Sequence, residues 1–134
     1  MAGPKHEEAK GLLGSMIYFQ IGLMGLMFHC IRMDETRYQG FINGKEADLV
    51  WRPNETRPDD DDWPTLVVEV GVTQSENSLI NAANWWLSNS GGEVKNVLLD
   101  KVYKAESSVP KRPVRPVGTY RTPVPSVPGV CLKL

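Results

Sequence analysis

Glu69 interrupts residues 65–72 (Thr-Leu-Val-Val-Glu-Val-Gly-Val), a nearly continuous run of apolar and mostly β-branched residues. Such runs form strands covered on both faces. A carboxylate in that setting is desolvated, and must be paired, protonated or bound to a cation. Asp48, 21 positions earlier, is its natural partner. Adjacent strands can bring two carboxylates to one ion, and Mg²⁺ or Mn²⁺ accepts two such ligands while water and phosphate oxygens complete its shell. An ion held this way polarises a phosphodiester and lowers the pKa of an attacking water. The plainer alternative makes Glu69 a buried acid satisfied by backbone or by Arg52, and Asp48 the cap of a hairpin.

A second acidic group, Asp59-Asp60-Asp61-Asp62, falls in residues 52–64 together with Pro53, Pro58 and Pro64. It reads as a solvated loop rather than a metal site, because adjacent carboxylates without glycine-spaced ligands face water.

Holding the two acids together requires a particular set of elements. After the strand at 65–72, Thr73 or Ser75 can cap a helix running from about 76 to 88. Asn89-Ser90-Gly91-Gly92 ends that helix, and residues 93–99 form a further strand. Connections this short imply a right-handed crossover and parallel pairing. Upstream, Met33 to Thr36 reads as a turn. Residues 37–43 read as a first strand, Asn43-Gly44 as a hairpin signal, and residues 46–51 as the partner strand bearing Asp48. Trp85 and Trp86 are adjacent and so cannot face the same way on a helix; one belongs to the core and the other to its edge.

Residues 11–31 carry no charge in 21 positions, long enough to span a bilayer. Ser15, Gln20, His29 and four glycines dilute the apolar content, so a core helix is expected and a membrane anchor is the competing reading. Gly11, Gly14, Tyr18, Gly22, Gly25 and His29 share one helical face. Leu12, Met16, Phe19, Leu23, Leu26 and Met27 share the other, which is expected to lie on a sheet.

The chain has 134 residues, 41% hydrophobic, which suits one domain with one core. Its formal net charge of −1 gives no global field toward nucleic acid or an anionic membrane, so any such contact must be local. Cys30 and Cys131 fit neither a disulfide framework nor a metal site. Free thiols imply a reducing, intracellular location, cytoplasm or nucleus, with a single disulfide as the alternative. Three segments are expected: a flexible polar start at 1–10, a core at 11–102, and a tail at 103–134. The tail holds Pro110, Pro113, Pro116, Pro123, Pro125 and Pro128, too dense for a central strand. Its Lys111, Arg112 and Arg115 offer weak nucleic-acid contacts, and Pro110-Lys111-Arg112-Pro113 and Pro125-Ser126-Val127-Pro128 have the spacing read by proline-binding grooves.

The expected class is therefore α/β, with a mixed α+β sheet built in the order helix, three strands, helix, strand. With Asp48 on the second strand and Glu69 on the third, this order resembles the PD-(D/E)xK, restriction-endonuclease-like nucleases, and in particular their fungal members. The resemblance covers about residues 40–99. It rests on Lys45-Glu46-Ala47-Asp48 with Trp51-Arg52-Pro53, on Trp63-Pro64-Thr65-Leu66-Val67-Val68-Glu69-Val70-Gly71, and on Trp85-Trp86-Leu87-Ser88-Asn89-Ser90-Gly91-Gly92-Glu93-Val94-Lys95. It implies a divalent metal, Mg²⁺ or Mn²⁺, held by Asp48 and Glu69, nucleic acid as substrate, and a lysine two positions after the glutamate.

That lysine position is Gly71, which has no side chain to donate a hydrogen bond or to stabilise negative charge. Ala47 stands where the motif has proline. The helix at 76–88 carries no basic residue that could replace the lysine from there. Lys95 is the preferred substitute and Lys45 the second, while Gln74 can at most orient a water. The proline-rich tail is also unlike the usual extensions of the fold, which points to a shortened or degenerate member.

Overall fold

The computed structural model describes residues 3–103; the tail and its proline motifs, with Cys131, lie outside the described residues. A mixed four-stranded sheet in the order β1-β4-β5-β6 forms the centre, from β1 (Cys30–Asp34), β4 (Leu49–Pro53), β5 (Leu66–Gly71) and β6 (Asn96–Lys101). β1, β4 and β5 pair antiparallel, and β6 lies parallel to β5 with Glu69 opposite Leu99 and Gly71 opposite Lys101. Helix α1 (Pro4–Leu23) covers one face. Helix α2 (Glu76–Asn89) and a separate ribbon of β2 (Arg37–Gln39) and β3 (Gly44–Glu46) cover the other.

The alternation of β4 and β5 divides the core into two clusters. Leu49, Trp51, Val68 and Val70 meet Ile21 of α1 together with Ala9, Leu13 and Ile17. Val50 and Val67 face the other way, against Trp86 of α2, Tyr38 of the ribbon, Ala47 and Val94. β5 is buried from Val67 to Gly71, as a strand covered on both faces must be.

The parallel unit from β5 through α2 to β6 forms as the sequence predicts, except that β6 spans Asn96–Lys101 rather than 93–99 and so begins after Lys95. Ser75 is the N-cap of α2, its hydroxyl accepting from Ser78 N–H at 3.1 Å, and the helix gives way to Gly91 and Gly92, both in the left-handed region at φ 61° and 86°.

Four expectations are corrected upstream. The polar start is helical from Pro4: proline is well placed in a first turn, where its missing N–H costs nothing, and Lys10 is buried between Glu7 and Glu35. The helix expected over 11–31 ends at Leu23. A turn through Gly25, at φ 74°, leads into β1, a strand the sequence reading assigned to the helix and a turn. Among the described residues no helix is long and apolar enough to cross a membrane.

The hairpin exists, but not as a two-residue Asn43-Gly44 turn, which needs positive φ at both positions and has it at neither. A longer loop, closed by Gly40 N–H donating to Asn43 O at 2.8 Å, joins Gln39 to Gly44. The ribbon therefore ends at Glu46, and the strand that follows Asp48 joins the main sheet beside β1. Finally, α1 presents the opposite face to the one expected. Ala9, Leu13, Ile17 and Ile21 pack on the sheet, whereas Leu12, Met16, Phe19 and Leu23 lie in water.

Candidate functional site

Two connections create the site. The chain leaves the β2–β3 ribbon at Glu46, buries Ala47 in the α2-side cluster, and enters β4 with Leu49 in the α1-side cluster. Asp48 sits between them, half-buried. Its Oδ2 accepts the N–H of Val70 at 2.7 Å, two residues past the last β4–β5 pair, and its Oδ1 lies 3.2 Å from His6 Nε2 in the first turn of α1. The capping role considered for Asp48 is thus partly real, but the strand it serves is β5.

Glu69 projects from β5 under α2. Leu79 and Trp86, seven positions apart on one stripe of the helix, are its two fully buried side chains. Leu79 covers Gly71, and Trp86 covers Glu69, where indole Nε1–H donates to Glu69 Oε1 at 2.5 Å. Lys45 Nζ, from β3, reaches the same oxygen at 3.6 Å. Burial pushes the Glu69 carboxyl above its ordinary range. The Trp86 hydrogen bond and the Lys45 charge pull it back, and the nearby Asp48 charge pushes it up further.

Asp48, Glu69, Lys45, His6 and Gln74 all line one open cleft of about 620 Å³, walled by the first turn of α1, the end of β3 and the β5–α2 loop. It lies at the carboxyl ends of the parallel strands, the usual place for a ligand in an open α/β sheet. Among the described residues, no group of three or more His, Cys, Asp or Glu is arranged to hold a metal ion, so any cation here would rest on two carboxylates.

The structure brings Asp48, Glu69 and Lys45 together and keeps Lys95 apart. Lys95 is exposed just before β6, its N–H donating to Thr65 O at 2.8 Å and its Nζ to Gly92 O at 2.5 Å, at the opposite end of β5 from the cleft. The sequence preference for Lys95 came from counting strands, whereas Lys45 gains from the ribbon folding back over β5.

Arg52 is not the partner of Glu69: it is buried, with its guanidinium turned to Pro58 O, Asp59 O and Asp60 Oδ1 of the following loop. Asp60 so engaged, and Asp62 accepting from Asp59 N–H at 2.9 Å, fold the acidic run on itself as a loop. A side chain at Gly71 would have to displace Leu79, because a Cβ there would lie 2.8 Å from Leu79 Cδ1. The cation nearest in register, Lys101, donates to Val72 O and Gln74 O and braces the β5–α2 loop.

Two participants escaped the sequence reading. His6 lies in a segment expected to be flexible, with no signal beyond its residue type. The sequence reading did not choose which of Trp85 and Trp86 enters the core, and the bond of Trp86 to Glu69 follows only from the helix phase. The chain matches no protein-family model, no curated protein and no solved structure.

Proposed function

We propose that the chain is a PD-(D/E)xK nuclease-like domain with a restriction-endonuclease-like core, in which Asp48 and Glu69 hold a divalent metal and Lys45 takes the part of the lysine missing at position 71. The observation that carries this reading is the shared cleft, with Lys45 Nζ 3.6 Å from Glu69 Oε1 and Asp48 among its lining residues. Element order supports it too. Without the inserted ribbon, α1, β1, β4, β5, α2 and β6 run helix, three strands, helix, strand.

The residues present fit a metal. The Trp86 and Lys45 contacts engage Glu69 at Oε1, Asp48 is half-buried and lines the same cleft, and Mg²⁺ needs few protein ligands because it keeps much of its water. When bound, Mg²⁺ or Mn²⁺ supplies polarisation of a phosphodiester and a more acidic attacking water. The chain's own residues hold the rest. Val70 N–H and His6 fix the Asp48 carboxylate, Trp86 fixes one oxygen of Glu69, and the Lys45 ammonium faces charge developing on phosphoryl oxygens.

Titration with Mn²⁺ by calorimetry and nicking of plasmid DNA in Mg²⁺ or Mn²⁺ test the proposal together. Binding is expected to disappear in Asp48→Asn and Glu69→Gln. Nicking is expected to fall at least tenfold in Lys45→Ala, on the scale of losing a transition-state donor, while Lys95→Ala retains it. Absence of both binding and nicking in the unaltered chain would favour a second reading, a relic whose acids are structural. That reading draws on the bonds from Trp86 and Val70 already made to the two acids, and on Leu79 seated over Gly71.

A further inference from the structure

The outward face of α1 is the part of the molecule that the fold leaves without a partner. Leu12, Met16, Phe19 and Leu23 are 63%, 57%, 62% and 67% exposed, on a helix whose opposite face is already committed to the sheet. From Leu12 to Leu23 the helix is apolar on two faces, and the sheet covers one of them. The steps between these four residues are four, three and four, the alternation of a heptad seam, which another helix fills knob into hole. Beside the ridge of Leu12 and Met16 runs a groove of about 390 Å³, bordered by Tyr18, Phe19, Gly22, Leu23, Met27 and Arg32. Ridge and groove therefore share one surface, the condition for self-complementary packing across a two-fold axis.

The area is of the right size. With Tyr18 and Met27, the four side chains leave roughly 600 Å² of apolar surface in water, at the upper limit for the largest patch on a monomer and approaching the ~800 Å² that each partner buries in a stable interface. Charge separates the occupants. A helix that lies on a bilayer flanks its apolar face with Lys and Arg. Leu12 to Leu23 include none; the one cation that lines the groove, Arg32, is already held by Asp34 at 3.0 Å, and Ser15 and Gly22 complete the border. Two such faces can meet without burying an unpaired ion.

We propose that a second copy of the chain covers this face, forming a two-fold dimer through α1 against α1. The cleft holding Asp48 and Glu69 is reached from the first turn of the helix and from the opposite side of the sheet, so the dimer does not depend on the nuclease reading.

Sedimentation velocity of the full chain over a concentration series tests the proposal, with the double substitution Phe19→Glu, Leu23→Glu as comparison and flotation with phosphatidylcholine vesicles run alongside. Both positions are in water in the single chain, so circular dichroism is expected to be unchanged. The expected result is a dimer in the unaltered chain and a monomer in the variant, a shift in dissociation constant of at least a hundredfold. A monomer at every concentration would overturn the proposal in favour of the chain's own tail or another protein as cover. A dimer that survives both substitutions would overturn it by placing the interface elsewhere. A monomer that floats with the vesicles would overturn it in favour of lipid.

Discussion

Glu69 binds its proton more tightly in the folded chain than in the unfolded one, because burial outweighs the Trp86 hydrogen bond and the Lys45 charge. The native state therefore holds more protons than the unfolded state, and stability falls as pH rises from the ordinary carboxylate range through the raised pKa. Glu69→Gln keeps an oxygen to accept from Trp86 and has no charge to desolvate. Thermal melts are expected to show the variant more stable than the parent at neutral pH and equal to it below the ordinary glutamate pKa. A parent more stable than the variant at neutral pH would mean that Lys45 outweighs burial. At this scale the sequence was informative about which acids to suspect, since Glu69 breaks an apolar run and Asp48 precedes another. It said nothing about His6, because a histidine near a chain start acquires meaning only once α1 reaches back over the end of β5.

Position 71 is decided by an element. The seven-residue step from Leu79 to Trp86 sets the phase of α2, and that phase lowers Leu79 onto Gly71 while it lowers Trp86 onto Glu69. Gly71→Ala is expected to cost about 1–3 kcal/mol through overpacking, read from urea midpoints at unchanged slope, and pairing it with Leu79→Ala should restore part of that loss. If Gly71→Ala is neutral, the helix is free to rise and the lysine position is not closed. The unit from β5 through α2 to β6 was legible because its strand is continuously apolar, its cap is a serine and its helix ends in two glycines. The helix phase of α1 was not legible, since apolar residues occur on both sides and only the sheet chooses between Leu13, Ile17, Ile21 and Leu12, Met16, Phe19. β1 was hidden for a related reason: its first residues continue an uncharged stretch whose only break is the turn at Gly25.

As a whole, the molecule has two apolar clusters and one sheet, and β4 and β5 supply side chains to both. Neither cluster can loosen without disturbing the strands that carry the other, so thermal unfolding is expected to be one cooperative transition, with far-ultraviolet dichroism and tryptophan emission giving the same midpoint. Separate midpoints would show that α1 detaches from a folded remainder. Trp51 is held on the α1 side beneath Arg32, whereas Trp63, Trp85 and Trp86 are gathered on the other side with ring centroids 4.9 to 6.1 Å apart. Rings this close exchange excitation, and one of them shares a hydrogen bond with the Glu69 carboxylate. The protein thus carries its own optical probe: whatever changes the charge or the ligation of Glu69 alters the light emitted by three indoles at once.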